Sequence, residues 1–201
     1  MKPADAAVLR GLKRRLDRPA ADGLVHLRGP RPVSPTLAAW LAAHGSLSAR
    51  LHRAMGPLAV ARLAQGLQPA WGDEHALLGL PPQTPLHARE VLLYGAGQPL
   101  VYARSVTSQQ ASRGPWRAIR GLGQRPLAEL LFMRRDITRS ELCARRVSMA
   151  EAQRVRQAWV RSVGSSPSGP WWRRHSVFHF HSAPLLVCEY FSAHAQDWPR
   201  P

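Results

Sequence analysis

The run PLLVCEYF, residues 184 to 191, is apolar at every position but one. On a strand, side chains alternate between faces, so Leu185, Val187, Glu189 and Phe191 share one face and Leu186, Cys188 and Tyr190 the other. An ionised carboxylate among such neighbours is costly unless it is paired or hydrogen-bonded, so Glu189 requires a partner from elsewhere in the chain or from a ligand. LHAREVLLY and PLVYARSV flank GAGQ and have the composition of two strands joined by a glycine-containing turn. Arg89 poses the same problem in the first of these runs, on the strand face it shares with His87, Val91 and Leu93. Glu90, on the opposite face, reads as an ordinary polar position.

The remaining pattern fills in an order of elements. SPTLAAWLAAHG predicts a helix capped by Ser34, with Pro35 in its first turn and Gly45 as its stop, and SLSARLHRAMG predicts a second directly after it. GPLAVARLAQGLQP has strand length and Gly/Pro boundaries. PWRAIRGLGQRPLAELLF, 115 to 132, predicts a short helix, a Gly-rich turn and a further element entering at Pro126. MAEAQRVRQAWVRSV predicts a helix opened by a capping box, Ser148 with Glu151, and ended at GSSPSGP. WWRRHSVFHFH and PLLVCEYF close the chain as another hairpin. This order of helices, antiparallel hairpins, helix and hairpin predicts an α+β fold with one mainly antiparallel sheet. Residues 1–33 read as a basic extension, with a short helix at AAVLRGLKRRL, and 34–201 as one domain.

Composition narrows the class. The 201 residues can bury about two-thirds of the surface the unfolded chain exposes. No run approaches the roughly 18 apolar residues of a membrane span, and the N-terminus lacks the apolar stretch of a secretory signal. A soluble cytoplasmic protein is the expectation, with Cys143 and Cys188 as reduced thiols. Against 12 acidic residues stand 28 basic ones, a formal +16. That balance invites a nucleic-acid reading. However, only Lys2 and Lys13 are lysines and no basic run exceeds the three of KRR, so the charge is spread rather than gathered into a phosphate-binding block. No nucleic-acid partner is expected on this basis.

Two side chains carry the candidate chemistry. The guanidinium of Arg89 can clamp a carboxylate through two parallel hydrogen bonds, or Arg89 and Glu189 can pair with each other or reach solvent. His175, His179 and His181 share one strand parity, and two histidines spaced i and i+2 can chelate a metal. Phe178 and Phe180 take the buried face, however, and no further ligands follow with convincing spacing, so no metal is expected. There is no phosphate-cradling glycine loop and no G-x-S-x-G elbow. The seven tryptophans do not interleave with a basic strand face and read as core.

REVLLY at 89–94, LGQRPLAELLF at 122–132 and PLLVCEYF at 184–191 resemble, in order and spacing, the signatures of the chorismate lyase family, and AWLAAHGSLSARL at 39–51 is similar to that family's first flap. The resemblance runs from about Leu37 to Phe191. It implies a mainly antiparallel sheet with helical flaps enclosing an internal ligand cavity. It also implies elimination of pyruvate from chorismate to give 4-hydroxybenzoate, the ring precursor of ubiquinone, by a cytoplasmic monomer with no cofactor. The family's ligand contacts fall on Leu47, Arg89, Leu127 and Glu189. Arg89 is expected to hold the ring carboxylate, Leu47 and Leu127 to supply backbone and apolar contact, and Glu189 to accept a hydrogen bond from the ring hydroxyl or to act as base. On this reading the partner of Glu189 is the ligand.

There are departures from the family pattern. Pro126-Leu127-Ala128 stands where members read Pro-Leu-Gly, and Ser108 stands where a proline often follows the strand. Arg174-His175 stands where a paired arginine precedes a serine, and 148–170 resembles an insertion. A non-catalytic sensor on the same fold is the alternative from another class, although such sensors follow a DNA-binding module for which the residues before Ser34 are too few.

Overall fold

The computed structural model describes residues 33–201, so the expected N-terminal extension and its short helix lie outside the described residues. Seven strands form one antiparallel sheet. They are β1 (Leu58–Leu67), β2 (Leu86–Gly95), β3 (Gln98–Ser108), β4 (Thr138–Arg139), β5 (Cys143–Arg146), β6 (Trp171–Phe180) and β7 (Ala183–Ser192). Their order is β1-β2-β3-β7-β6-β4, and β5 also pairs with β6. Central β3 therefore joins the two hairpins foreseen from the sequence, with Ala103 opposite Glu189. The turns that close them use left-handed backbone: Ala96 and Gly97 (φ 49° and 75°) in one, His181 and Ser182 (φ 48° and 60°) in the other. A two-residue loop of this hand matches the right-handed twist of the strands it connects.

Helices cover both faces. α1 (Pro35–Ala42) and α2 (Leu47–Met55) are capped by Ser34 and Ser46, whose hydroxyls accept from Leu37 N and Ala49 N. α1 stops short of the stop read from the sequence. Ala43 is already extended, and Gly45, at φ 83°, instead turns the chain toward α2. α3 (Glu74–Leu78) precedes β2, and α4 (Gln109–Arg113) follows β3 under a cap from Ser108, the position where relatives were expected to carry proline. A 3-10 turn (Arg117–Gly121) leads to α5 (Leu127–Met133). α6 (Met149–Val163) has the full reciprocal capping box between Ser148 and Glu151. A second 3-10 turn (Ala193–Asp197) follows β7.

Strand parity sorts the core. Ala88, Leu92, Tyr102, Val106, Leu186, Cys188 and Tyr190 face one side, where Ala152, Val155, Ala158 and Trp159 of α6 pack on them. Val91, Leu93, Val101, Ala103 and Phe191 face the other, against Leu37, Trp40, Leu41, Leu47 and Leu51 of the α1–α2 pair. Trp40, Trp116, Trp159 and Trp171 are all within 2 % of full burial, as expected of core residues. The histidine parity of β6 is not simply an outer face, because Trp171 and Val177 on the same side belong to the α6 core. His179 is exposed and His175 only half-buried there.

Glu90 departs most from its sequence reading. It is 5 % exposed and accepts from Arg104 Nη1 at 2.5 Å, while Arg104 Nε binds Glu74 Oε1 at 2.7 Å. Nη2 of the same guanidinium donates to Pro69 O at 2.9 Å, so one wholly buried cation holds two carboxylates and a carbonyl. On the same sheet face Arg173 bridges Asp73 at 2.8 Å and Glu151 at 3.1 Å.

Candidate active site

The opposite face of the sheet carries a pocket. Its floor is Val60 of β1, Arg89, Val91 and Leu93 of β2, Ala103 and Ser105 of β3, and Val187 and Glu189 of β7. One wall is the first turn of α2, at Leu47 and Ser48. The other is Pro126, Leu127 and Ala128 at the start of α5, with Leu131 and Phe132 behind them. Arg139, Ser176 and Phe178 close the β4–β6 side. All four residues singled out from the sequence, Leu47, Arg89, Leu127 and Glu189, therefore line one space. Leu47 and Leu127 both sit in the first turn of a helix, where backbone N–H groups lack intrahelical acceptors and the helix dipole favours negative charge.

Arg89 is 1 % exposed and meets no carboxylate among the described residues. Its Nη2 donates to Gly123 O at 3.1 Å and Arg125 O at 2.9 Å, and its buried Nε has no acceptor among the described residues. The Gly-rich turn 121–126 thus orients the guanidinium by neutral carbonyls alone. Burial, with repulsion from Arg62 added, lowers its pKa to about 10. It remains a cation at neutral pH, desolvated and without a counter-charge, and an arriving carboxylate relieves both deficits.

Arg89 and Glu189 do not pair with each other. Glu189 has a protein partner, Arg174, whose Nε lies 2.5 Å from Oε2. Arg174 Nη1 also donates to Trp40 O at 2.8 Å and Ala43 O at 2.7 Å, the carbonyls at the end of α1. The expectation that the ligand is this carboxylate's only partner is corrected accordingly. Arg174 compensates its charge through one oxygen and ties the first helical pair to the sheet, and Oε1 carries no protein hydrogen bond among the described residues.

Arg139 went unremarked in the sequence. It stands on a two-residue strand in MRRDITRSE, where no hydrophobic alternation marks a strand and the neighbouring Arg134 and Arg135 disguise it as surface charge. Its Nε donates to Ser176 Oγ at 3.0 Å, and burial lowers its pKa, offset by Glu189 and reinforced by Arg174. Its guanidinium carbon lies over the Phe178 ring, 5.1 Å from the centroid, a cation–π contact. The pocket therefore holds two guanidinium groups and one carboxylate around a largely apolar floor. Among the described residues no cluster of three or more His, Cys, Asp or Glu could ligate a metal.

A match to the family described as chorismate lyase spans residues 30–200, nearly the whole chain. The chain belongs to the chorismate lyase family. Relatives named probable chorismate pyruvate-lyase agree with this. One from Albidiferax ferrireducens is 43% identical over 162 residues, covering 79% of this chain and 82% of the relative. Another, from Azoarcus sp., is 37% identical over 179 residues and covers 88% and 94%. Among solved structures, PhnF from Mycobacterium smegmatis aligns with a TM-score of 0.46 at 14% identity, covering 94% of this chain and 79% of that one. Among the described residues no helix is long and apolar enough to cross a membrane.

Proposed function

We propose that this protein eliminates pyruvate from chorismate and releases 4-hydroxybenzoate, the ring precursor of ubiquinone. The observation that carries the reading is Arg89: a desolvated cation at the base of an apolar pocket, held by two carbonyls and lacking a counter-charge. Such a group is complementary to a carboxylate on a flat hydrophobic body. Chorismate carries two carboxylates, and the pocket has a second guanidinium in Arg139. In the proposed pose the ring carboxylate sits on Arg89 with the first-turn amides of α5, and the enolpyruvyl carboxylate turns toward Arg139. The C4 hydroxyl donates to Oε1 of Glu189.

The reaction breaks the C4–H and C3–O bonds and leaves an aromatic ring. In the intramolecular route the C4 hydrogen passes to the enolpyruvyl methylene, which becomes the methyl of pyruvate while the ether oxygen becomes its carbonyl. In the alternative, Glu189 takes the C4 proton and the enolpyruvate leaves to be protonated afterwards. Aromatisation drives the step, so binding, orientation of the enolpyruvyl arm and exclusion of water by the flaps are what the chain must supply.

Incubating purified protein with chorismate, with and without a chelator, and following both products by chromatography tests the reading. Equimolar 4-hydroxybenzoate and pyruvate in both samples is the expected result. Binding of 4-hydroxybenzoate with chorismate left intact would refute the lyase activity in favour of a ligand-sensing role.

A further inference from the structure

Beside the lyase pocket, on the far side of Arg89, lies a second depression that the reaction above does not use. It is bounded by Arg62, Leu63, Gln65 and Leu67 of β1, His87 of β2, and Gln109, Ser112, Arg113 and Arg120 from α4 and the following turn. The lining contains three arginines and no carboxylate. Arg62, Arg113 and Arg120 are exposed, and no ion pair engages them among the described residues. Gln65 shares this lining: Nε2 donates to Arg120 O at 3.0 Å, which leaves Oε1 buried and without a donor among the described residues. His87, 6 % exposed, closes the inner end.

Three arginines lining one depression, together with an unfilled buried acceptor, are complementary to a particular ligand chemistry. From this geometry we infer that the depression binds a small polyanion that also carries a hydroxyl, its charged groups on Arg62, Arg113 and Arg120 and its hydroxyl donating to Gln65 Oε1. Charge-assisted hydrogen bonds to guanidinium groups are short and strong, and three of them around one ligand give a built site rather than diffuse surface attraction.

The two sites share a wall. The 3-10 turn that receives Gln65 through the Arg120 carbonyl continues directly into Gly123 and Arg125, whose carbonyls hold Arg89. Arg62 also repels Arg89. An anion seated against Arg62 and Arg120 lowers the positive potential that Arg89 presents to its own carboxylate. Occupancy of the outer site therefore weakens ligand binding in the inner one. This coupling rests on the lyase reading, whereas binding at the outer site does not.

Citrate is the probe, titrated calorimetrically into the full chain at constant ionic strength. Wild type and Arg139→Gln are expected to bind it alike, and an Arg113→Ala/Arg120→Ala variant at least tenfold more weakly. Both replaced arginines are exposed, so the variant should keep its melting temperature. Tricarballylate, which lacks the hydroxyl, is expected to bind several-fold more weakly than citrate because Gln65 Oε1 stays unfilled. Glycerol 3-phosphate, run in parallel, decides between carboxylate and phosphoryl ligands by which of the two probes binds more tightly. Absence of citrate binding, equal binding by wild type and the double variant, or loss on Arg139→Gln instead would each overturn the site, and equal affinity for citrate and tricarballylate would remove the role of Gln65. In turnover, citrate should raise KM for chorismate in wild type and not in the double variant. If chorismate is not consumed, the calorimetric result still stands or falls by itself.

Discussion

Replacing Arg89 with Met should separate ligand binding from stability. The free protein pays for this residue. Lowering its pKa from the ordinary arginine value to about 10 corresponds to roughly 3 kcal/mol against the charged form. The hydrogen bonds to Gly123 and Arg125 offset a similar amount, at about 1.5–3 kcal/mol each for a charged donor. Methionine occupies much of the same volume and leaves no buried anion unpaired, so stability without ligand is expected to change by only about 1 kcal/mol. Binding should change far more. Loss of a two-pronged carboxylate contact costs about 3–4 kcal/mol, a weakening of 4-hydroxybenzoate by about two to three orders of magnitude. The assay is thermal unfolding with ligand at a hundred times the wild-type Kd, where linkage gives about 2.7 kcal/mol and a rise of roughly 5–10 °C. Arg89→Met should abolish that rise while its ligand-free Tm stays close to wild type. The control is 4-hydroxybenzyl alcohol, which lacks the carboxylate and should bind both proteins equally. A 4-hydroxybenzoate-induced rise that survives the substitution would refute the assignment of the carboxylate to Arg89.

Arg139→Gln should raise KM for chorismate by about tenfold or more while leaving 4-hydroxybenzoate affinity within a few-fold of wild type, because only the substrate carries the second carboxylate. Comparing steady-state kinetics with product titration checks this, and equal losses for both ligands would place Arg139 elsewhere in the pose. Arg104→Met strands Glu74 and Glu90 in the core and should cost about 3–5 kcal/mol in urea unfolding. His175 has its pKa lowered to about 4, chiefly by burial and then by Arg173. The unfolded chain therefore binds a proton at higher pH than the folded one, and stability is lost as pH falls from about 6.5 toward 4. A His175→Gln variant should show a shallower loss of Tm across that window, and an unchanged slope would exclude His175 as its source.

Much of this protein follows from local pattern. Strand parity alone puts Arg89 with Val91 and Leu93 on one face and separates Glu189 from Cys188 and Tyr190. The caps at Ser34, Ser46 and Ser148 fix where helices begin through side chains only three residues from the amides they bind. Hairpin turns also announce themselves, because positive φ is demanded within a two-residue loop. Pairing across the fold has no such signature. Arg104 stands opposite Glu90 and Arg174 opposite Glu189 within the two hairpins, so those pairs follow once hairpin register is fixed, but nothing near Glu90 reveals that Glu74 will join Arg104 from a separate helix. Arg139 is the clearest case. Its two-residue strand has no periodicity to detect, and it becomes a pocket residue solely because β4 pairs with β6 at His179 and Phe178. The sequence by itself determined which charges would lie on strands among apolar neighbours. The tertiary structure decided which of them would be neutralised within the protein and which, as with Arg89, would be left to meet a ligand, because desolvation and charge pairing depend on distances that only the assembled sheet and its flaps establish.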